Sequence, residues 1–277
     1  MIPAAIPYLS SIHKDGSVLE IKVGIQLASL KLPLKQALLT AARLGAQAVE
    51  IDARGEIKPQ DLTRTGVRQV RKLLEDLNLR VCAIGFRTRR GYDFAEDLDR
   101  RIDATKDAMK MAFELGAPVV VNAIGRVPEG TESREWNRLL ESLSDLGKHG
   151  QHIGATLAAE TGTESGAELK RLIEALPLGS LGVNFDPGNL IVNGFSASEA
   201  VRELGQYVLH VHAKDGVRDL AQGRGVEVPL GRGSAEFPEL LSVLEEQQYR
   251  GYFTIERDNA ADPQFEIGEA VKYLKNI

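Results

Sequence analysis

The sequence predicts a single (β/α)8 barrel. Strand-like and helix-like patterns alternate from residue 21 to 277, eight such units fill that span, and the strand segments are apolar throughout instead of alternating. Continuous apolar strands are what a parallel sheet covered on both faces requires. An open doubly wound sheet is the competing architecture. It lacks support because the segment after the first strand, GIQLASLKLP, has no G-x-G-x-x-G turn.

The first unit is the strand IKVGIQL and the helix LPLKQALLTAARLG. Pro33 opens that helix, Leu34, Ala37, Leu38 and Ala41 recur at helical spacing, and Gly45 closes it. AVEID is the second strand and GVRQVRKLLEDLN the second helix. LRVCAIGF is the third strand, followed by DLDRRIDATKDAMKMAFELG, which again ends on a glycine, Gly116. APVVVNAIG is the fourth strand, with its helix over residues 132–150. TLAAE and SGAELKRLIEAL form the fifth unit, LGVNFD and SASEAVRELG the sixth. VLHVH is the seventh strand, and a long glycine-rich loop leads to the helix FPELLSVLEEQQY. YFTIE is the eighth strand and PQFEIGEAVKYLKNI the closing helix. Residues 1–20 stand outside the repeat, as an N-terminal extension that caps the barrel floor or is loosely ordered.

Composition sets limits. The chain of 277 residues is 43% hydrophobic and 26% charged, as globular domains are. Thirty-four Lys and Arg against 39 Asp and Glu give a net charge of -5, which offers nucleic acid no general attraction. No apolar run approaches the roughly 18 residues that span a bilayer. MIPAAIPYLSSIHKDGS lacks the charged start and apolar core of a signal peptide. The single Cys82, within RVCAIGF, reads as a buried strand thiol, in keeping with a reducing, cytoplasmic location. A monomer and a homo-oligomer are both compatible with this sequence.

In a barrel, chemistry collects at the C-terminal ends of the strands. Those ends are Gln26, Asp52, Phe86, Asn122, Glu160, Asp186, His212 and Glu256. An acidic residue after one strand is often only a helix cap, and Asp186 before Pro-Gly suits a turn. Four consecutive strands ending in Glu160, Asp186, His212 and Glu256 ask for more. Three carboxylates and an imidazole repel when crowded together, unless a divalent cation (Mn²⁺, Mg²⁺, Co²⁺ or Zn²⁺) joins them.

The segments AAET at Glu160, NFDPGN at Asp186, HVHAKD at His212, PLGRGSAEFPELLSVLEE and GYFTIE at Glu256 resemble the sugar phosphate isomerase/epimerase superfamily, with its xylose isomerase-like barrel. The resemblance covers residues 21–277. It implies that Glu160, Asp186, His212 and Glu256 hold one divalent ion. Of the two histidines in HVHAKD, it makes His212 the ligand and leaves His210 in the core. It also implies a small sugar, sugar phosphate or keto-polyol substrate, with Glu160 and Glu256 as an acid/base pair that moves a proton through a metal-stabilised enediolate. Arg218 matches a family arginine that helps hold the substrate, and Lys214 and Asp215 are further candidates in that loop. Many members carry a histidine where this chain has Asn189, which speaks against a standard ketose 3-epimerase. The alternatives are an inosose-type dehydratase on the same metal site and a barrel that binds metal and sugar without turnover. Endonuclease IV also belongs to the superfamily. Its three zinc ions need more histidines at the strand ends than this chain offers, since His149 and His152 precede the fifth strand.

Other features admit two readings. Arg87, Arg89 and Arg90 in FRTRRGYDF could clamp a phosphate or carboxylate, or pair with Glu96, Asp97 and Asp99. Glu164 could reach a substrate hydroxyl or cap the fifth helix. Trp136, beside Glu135, could wall the substrate or pack the helix. The stretch 216–233, with Gly223, Gly225, Gly231 and Gly233, suggests a mobile lid.

Overall fold

The computed structural model describes residues 21–219 and 224–277. The N-terminal extension and Gly223 therefore lie outside the described residues. In chain order the strands are β1 (Val23–Gln26), β2 (Ala48–Asp52), β3 (Arg80–Gly85), β4 (Val119–Asn122), β5 (Thr156–Glu160), β6 (Gly182–Phe185), β7 (Val208–Ala213), β8 (Asp215–Asp219), β9 (Arg224–Val228) and β10 (Phe253–Ile255). β1 to β7 and β10 close into one parallel barrel, and β8 with β9 forms a separate antiparallel pair. Closure is made where β10 meets β1, with Val23 beside Phe253 and Ile25 beside Ile255.

The helices are α1 (Leu34–Leu44), α2 (Arg64–Asp76), α3 (Leu98–Leu115), α4 (Arg134–Ile153), α5 (Gly166–Ala175), α6 (Pro187–Val192), α7 (Ala197–Leu204), α8 (Phe237–Glu246) and α9 (Pro263–Lys275). Their starts follow the side chains: Thr63, Ser133, Ser165, Ser196 and Asp262 each accept a backbone N–H of the first turn. Apolar side chains such as Ile25, Leu38, Ile51, Ile84, Leu143 and Phe185 are fully buried between strands and helices. Among the described residues, no helix is long and apolar enough to cross a membrane.

Two local departures bear on the site. Asp186-Pro187-Gly188-Asn189 is not only a turn. Asp186 caps α6 and Pro187 occupies its first position, where a missing N–H costs nothing. The glycine-rich stretch after β7 is largely a hairpin, with Asp215 opposite Val228 and Val217 opposite Val226. Glu227 on β9 accepts the backbone N–H groups of Asp258 and Asn259 at 2.9 and 3.0 Å and pairs with Arg257 at 2.9 Å. The base of this element is thus fastened to the loop after β10, where the sequence suggested a free lid.

Candidate metal centre

β5, β6, β7 and β10 deliver Glu160, Asp186, His212 and Glu256 to one place. One ligand atom from each lies within 4.8 Å of all the others, and all four residues are buried. His212 Nδ1 is 2.6 Å from Glu256 Oε2, 3.7 Å from Glu160 Oε1 and 3.8 Å from Asp186 Oδ2. Asp186 Oδ1 accepts the Asn189 N–H at 2.8 Å, while its Oδ2 is buried with no hydrogen-bond partner. Glu256 Oε2, despite its proximity to Nδ1, is likewise without an aligned donor. Two buried carboxylate oxygens that lack a donor, Asp186 Oδ2 and Glu256 Oε2, beside further oxygen and nitrogen ligand atoms are what a cation site offers, so the donor set fits a divalent ion.

The electrostatics are correspondingly tense. Burial pushes the Asp186 carboxyl up, partly offset by Lys214 and His212. Burial acts the same way on Glu256, but His212, Lys214 and Arg87 hold it well below the usual carboxylate range. Burial disfavours a charged His212, yet the carboxylates of Glu50 and Glu256 hold its imidazole well above the ordinary histidine value.

Around the four stand further groups. Asn189 donates from Nδ2 to Glu160 Oε1 at 3.1 Å. It is pressed there by Gly162 (φ 127°), where a Cβ would lie 2.7 Å from the Asn189 Cβ. Lys214 is 5% exposed, with Nζ 2.6 Å from Asp258 Oδ2 and 3.3 Å from Glu256 Oε1. Burial works against its charge, but Asp186, Glu256 and Asp258 raise it above the usual lysine value. Arg87 Nη2 donates to Glu160 Oε1 at 3.0 Å and also to Glu256 Oε1. The loop that carries it is held where Gly91 and Gly125 pass backbone to backbone, since a Cβ on Gly91 would sit 2.0 Å from the Gly125 Cα.

Other candidates stand elsewhere. Arg218 is exposed on β8, its guanidinium 3.4 Å from the Cβ position of Gly194. It lines a cavity of about 420 Å³ with Ser196, Ser198 and Glu236, outside the group of four. Arg89 is exposed, and Arg90 pairs with Glu96 as the surface reading anticipated. Glu164 does not cap α5, because Ser165 does so with Glu168. It is buried, accepts the Thr163 hydroxyl at 2.6 Å, and burial pushes its carboxyl up to about 7. Asp215 is a scaffold group, accepting four backbone N–H bonds. Trp136 is buried with the Arg171 guanidinium 5.0 Å from its ring, which is packing. Burial pushes the Cys82 thiol up to about 12, leaving it inert.

Reading only the strand ends misses Glu50, which lies within β2. Its Oε2 is 2.8 Å from His212 Nε2, and its carboxyl is driven below the usual range, because His212 and His210 together outweigh a burial effect that acts the other way. A carboxylate in the middle of the buried run AVEID was the available signal.

Residues 38–277 match the profile of the xylose isomerase-like TIM barrel. The chain belongs to that family. Within the xylose isomerase-like barrels, it is 24% identical over 219 residues to the inosose dehydratase of Bacillus thuringiensis, covering 68% of this chain and 72% of the relative. A xylose isomerase domain protein from Planctomyces limnophilus superposes with a TM-score of 0.82 at 28% identity, over 93% of this chain and 97% of that one. A xylose isomerase-like barrel from Mycobacterium smegmatis, in complex with magnesium, superposes with a TM-score of 0.74 at 18% identity, over 93% and 96% of the two chains.

Proposed function

We propose that this barrel is a divalent-metal-dependent enzyme that removes the proton next to the carbonyl of a small keto-polyol, with Glu160 as the base and loss of water as the outcome. The observation that carries this reading is an asymmetry between the two glutamates. Arg87 and Lys214 stand at Glu256 Oε1 and His212 Nδ1 at its Oε2, and the residue is 1% exposed. Glu160 has its partners at Oε1, and it is 9% exposed. Glu160 Oε2 is thus the carboxylate oxygen best able to reach a carbon-bound proton, while Glu256 is suited to ligand duty.

A divalent ion held by Glu160, Asp186, His212 and Glu256 would polarise the substrate carbonyl and offset the charge that develops on its oxygen. Glu160 takes the proton from the carbon beside that carbonyl. Having gained it, Glu160 returns it to the hydroxyl leaving the next carbon on the same face, so water departs and a C=C bond forms with no second base. Asn189 and Arg87 hold Glu160 in position for both transfers. The inosose dehydratase of Bacillus thuringiensis and the magnesium-bound Mycobacterium smegmatis barrel support the substrate class and the ion.

Isomerisation or epimerisation is the second reading, favoured by the presence of Glu256 beside Glu160 in one cluster. The test is incubation of protein loaded with Mn²⁺, Mg²⁺, Co²⁺ or Zn²⁺ with inososes and ketoses in D₂O. Dehydration yields an enone seen in the ultraviolet. A stereochemically altered product carrying deuterium assigns the second reading instead. With either product, Glu160→Gln should slow turnover by roughly 10²–10⁴. Turnover that survives this change would remove Glu160 from the chemistry, and no exchange with any substrate would leave a binding barrel.

A further inference from the structure

Four hydrogen-bond contacts run from the residue after Glu256, through the end of β1 and through β2, to His212 on β7. The Arg257 N–H, next to Glu256, donates to Ser29 Oγ at 3.0 Å. The Ser29 hydroxyl donates to Gln26 Oε1 at 2.8 Å, and Gln26 Nε2 donates to Glu50 Oε1 at 3.2 Å. Glu50 Oε2 stands 2.8 Å from His212 Nε2. The register explains the middle contact, since Gln26 and Glu50 are direct neighbours on β1 and β2. All of these side chains are buried: Gln26 7%, Ser29 3%, Glu50 2% and His212 0% exposed.

The direction of the chain is fixed at its start. A backbone N–H can only donate, so Ser29 must accept there and donate onward. Gln26 then receives at its oxygen and gives from its nitrogen, and Glu50 is left to accept. At 2.8 Å the Glu50–His212 contact is a hydrogen bond, which places the imidazole proton on Nε2. Nδ1, with Asn184 Nδ2 at 3.0 Å, faces Glu160, Asp186 and Glu256 and would present its lone pair to an ion held among them. His210 Nε2 lies 3.2 Å from the same Glu50 oxygen but is not aligned as a donor.

We propose that Gln26, Ser29 and Glu50 are positioning residues that fix His212 as an Nδ1 ligand and hold the Glu256 end of β10 in register with it. The inference rests on the metal reading above. Polar groups that hold a ligating histidine by its second nitrogen typically influence metal affinity by 10–100-fold.

The experiment measures Zn²⁺ and Mn²⁺ affinity by competition with a chelating dye, beside ¹⁵N NMR of the histidine tautomers in the Zn²⁺-loaded protein. Glu50→Gln, whose amide can donate as well as accept, should weaken binding by about 10–100-fold and mix the His212 tautomers. Ser142→Ala, a change at a buried hydroxyl of α4 that bonds only the Arg138 carbonyl, should leave both readouts at parental values. Parental affinity with a single Nε2–H tautomer in Glu50→Gln overturns the proposal. If that variant does not fold, Ser29→Ala should show a smaller loss in the same direction, and unchanged affinity there overturns it equally. A parent protein that binds none of the ions defeats the metal reading itself, an outcome distinct from equal binding by parent and variant.

Discussion

Asp215→Asn tests how the loop beside the candidate metal centre is held. The Asp215 carboxylate is 1% exposed and accepts four backbone N–H groups: Gly216 at 2.8 Å and Ala235 at 3.0 Å on Oδ1, Gly233 at 2.8 Å and Gly231 at 3.0 Å on Oδ2. Asparagine keeps one oxygen and puts an NH₂ where the other stood. Two backbone donors then lose their acceptor and face another donor in a buried place. Hydrogen bonds to charged groups are worth about 1.5–3 kcal/mol each, so the pair sums to about 3–6 kcal/mol. There is no room to relax by rotation, because Gly233 already sits so close that a Cβ there would be 2.1 Å from Asp215 Oδ1. At about 2–4 °C per kcal/mol for a domain of this size, the melting temperature should fall by roughly 10 °C in differential scanning calorimetry. A variant melting within a degree of the parent would refute the argument that these four bonds organise the loop.

Two further outcomes are expected. Saturating divalent ion should raise the melting temperature, since ligand at a hundred times its dissociation constant contributes about 2.7 kcal/mol, and excess EDTA should reverse the gain; no shift with Mn²⁺, Mg²⁺, Co²⁺ or Zn²⁺ would contradict the fit of the four ligands. Glu164 is a carboxyl raised to about 7 by burial, despite the Thr163 hydroxyl that lowers it, so the folded state holds its proton more tightly than the unfolded chain. Its favourable share is complete below pH ~4.5 and is lost as pH rises to about 7, a difference of about 3 kcal/mol. Glu164→Gln should therefore stabilise the protein at pH 8 relative to the parent and be near neutral at pH 4, and equal melting shifts at both would reject the assignment.

The barrel was legible because strand runs such as APVVVNAIG and helices closed by Gly45 and Gly116 carry their own period and punctuation. The convergence of Glu160, Asp186, His212 and Glu256 was legible because each stands at or beside the C-terminal end of a strand, where a side chain faces the mouth. What escaped depends on neighbours distant in sequence. Glu50 is a mid-strand residue whose meaning appears only when β7 brings His212 to it across 162 positions. Arg87 sits in a loop whose three arginines look alike, and only the folded chain sends one to Glu160 and another to Glu96. The hairpin was hidden by glycines that read as flexibility, although RGVEV carries a strand alternation. The start of α6 was readable in principle, since Asp before Pro is a helix opening as well as a turn.

The seam between β10 and β1 also orders events during synthesis. Glu256 and the Arg257 N–H arrive on the last barrel strand, whereas Gln26, Ser29 and Glu50, which anchor them, are among the first residues of the barrel to be made. Contacts of such long range are slow to form, because loop-closure entropy must be overcome before they contribute. A nascent chain on the ribosome thus cannot bring Glu160, Asp186, His212 and Glu256 together until the whole barrel has emerged and closed.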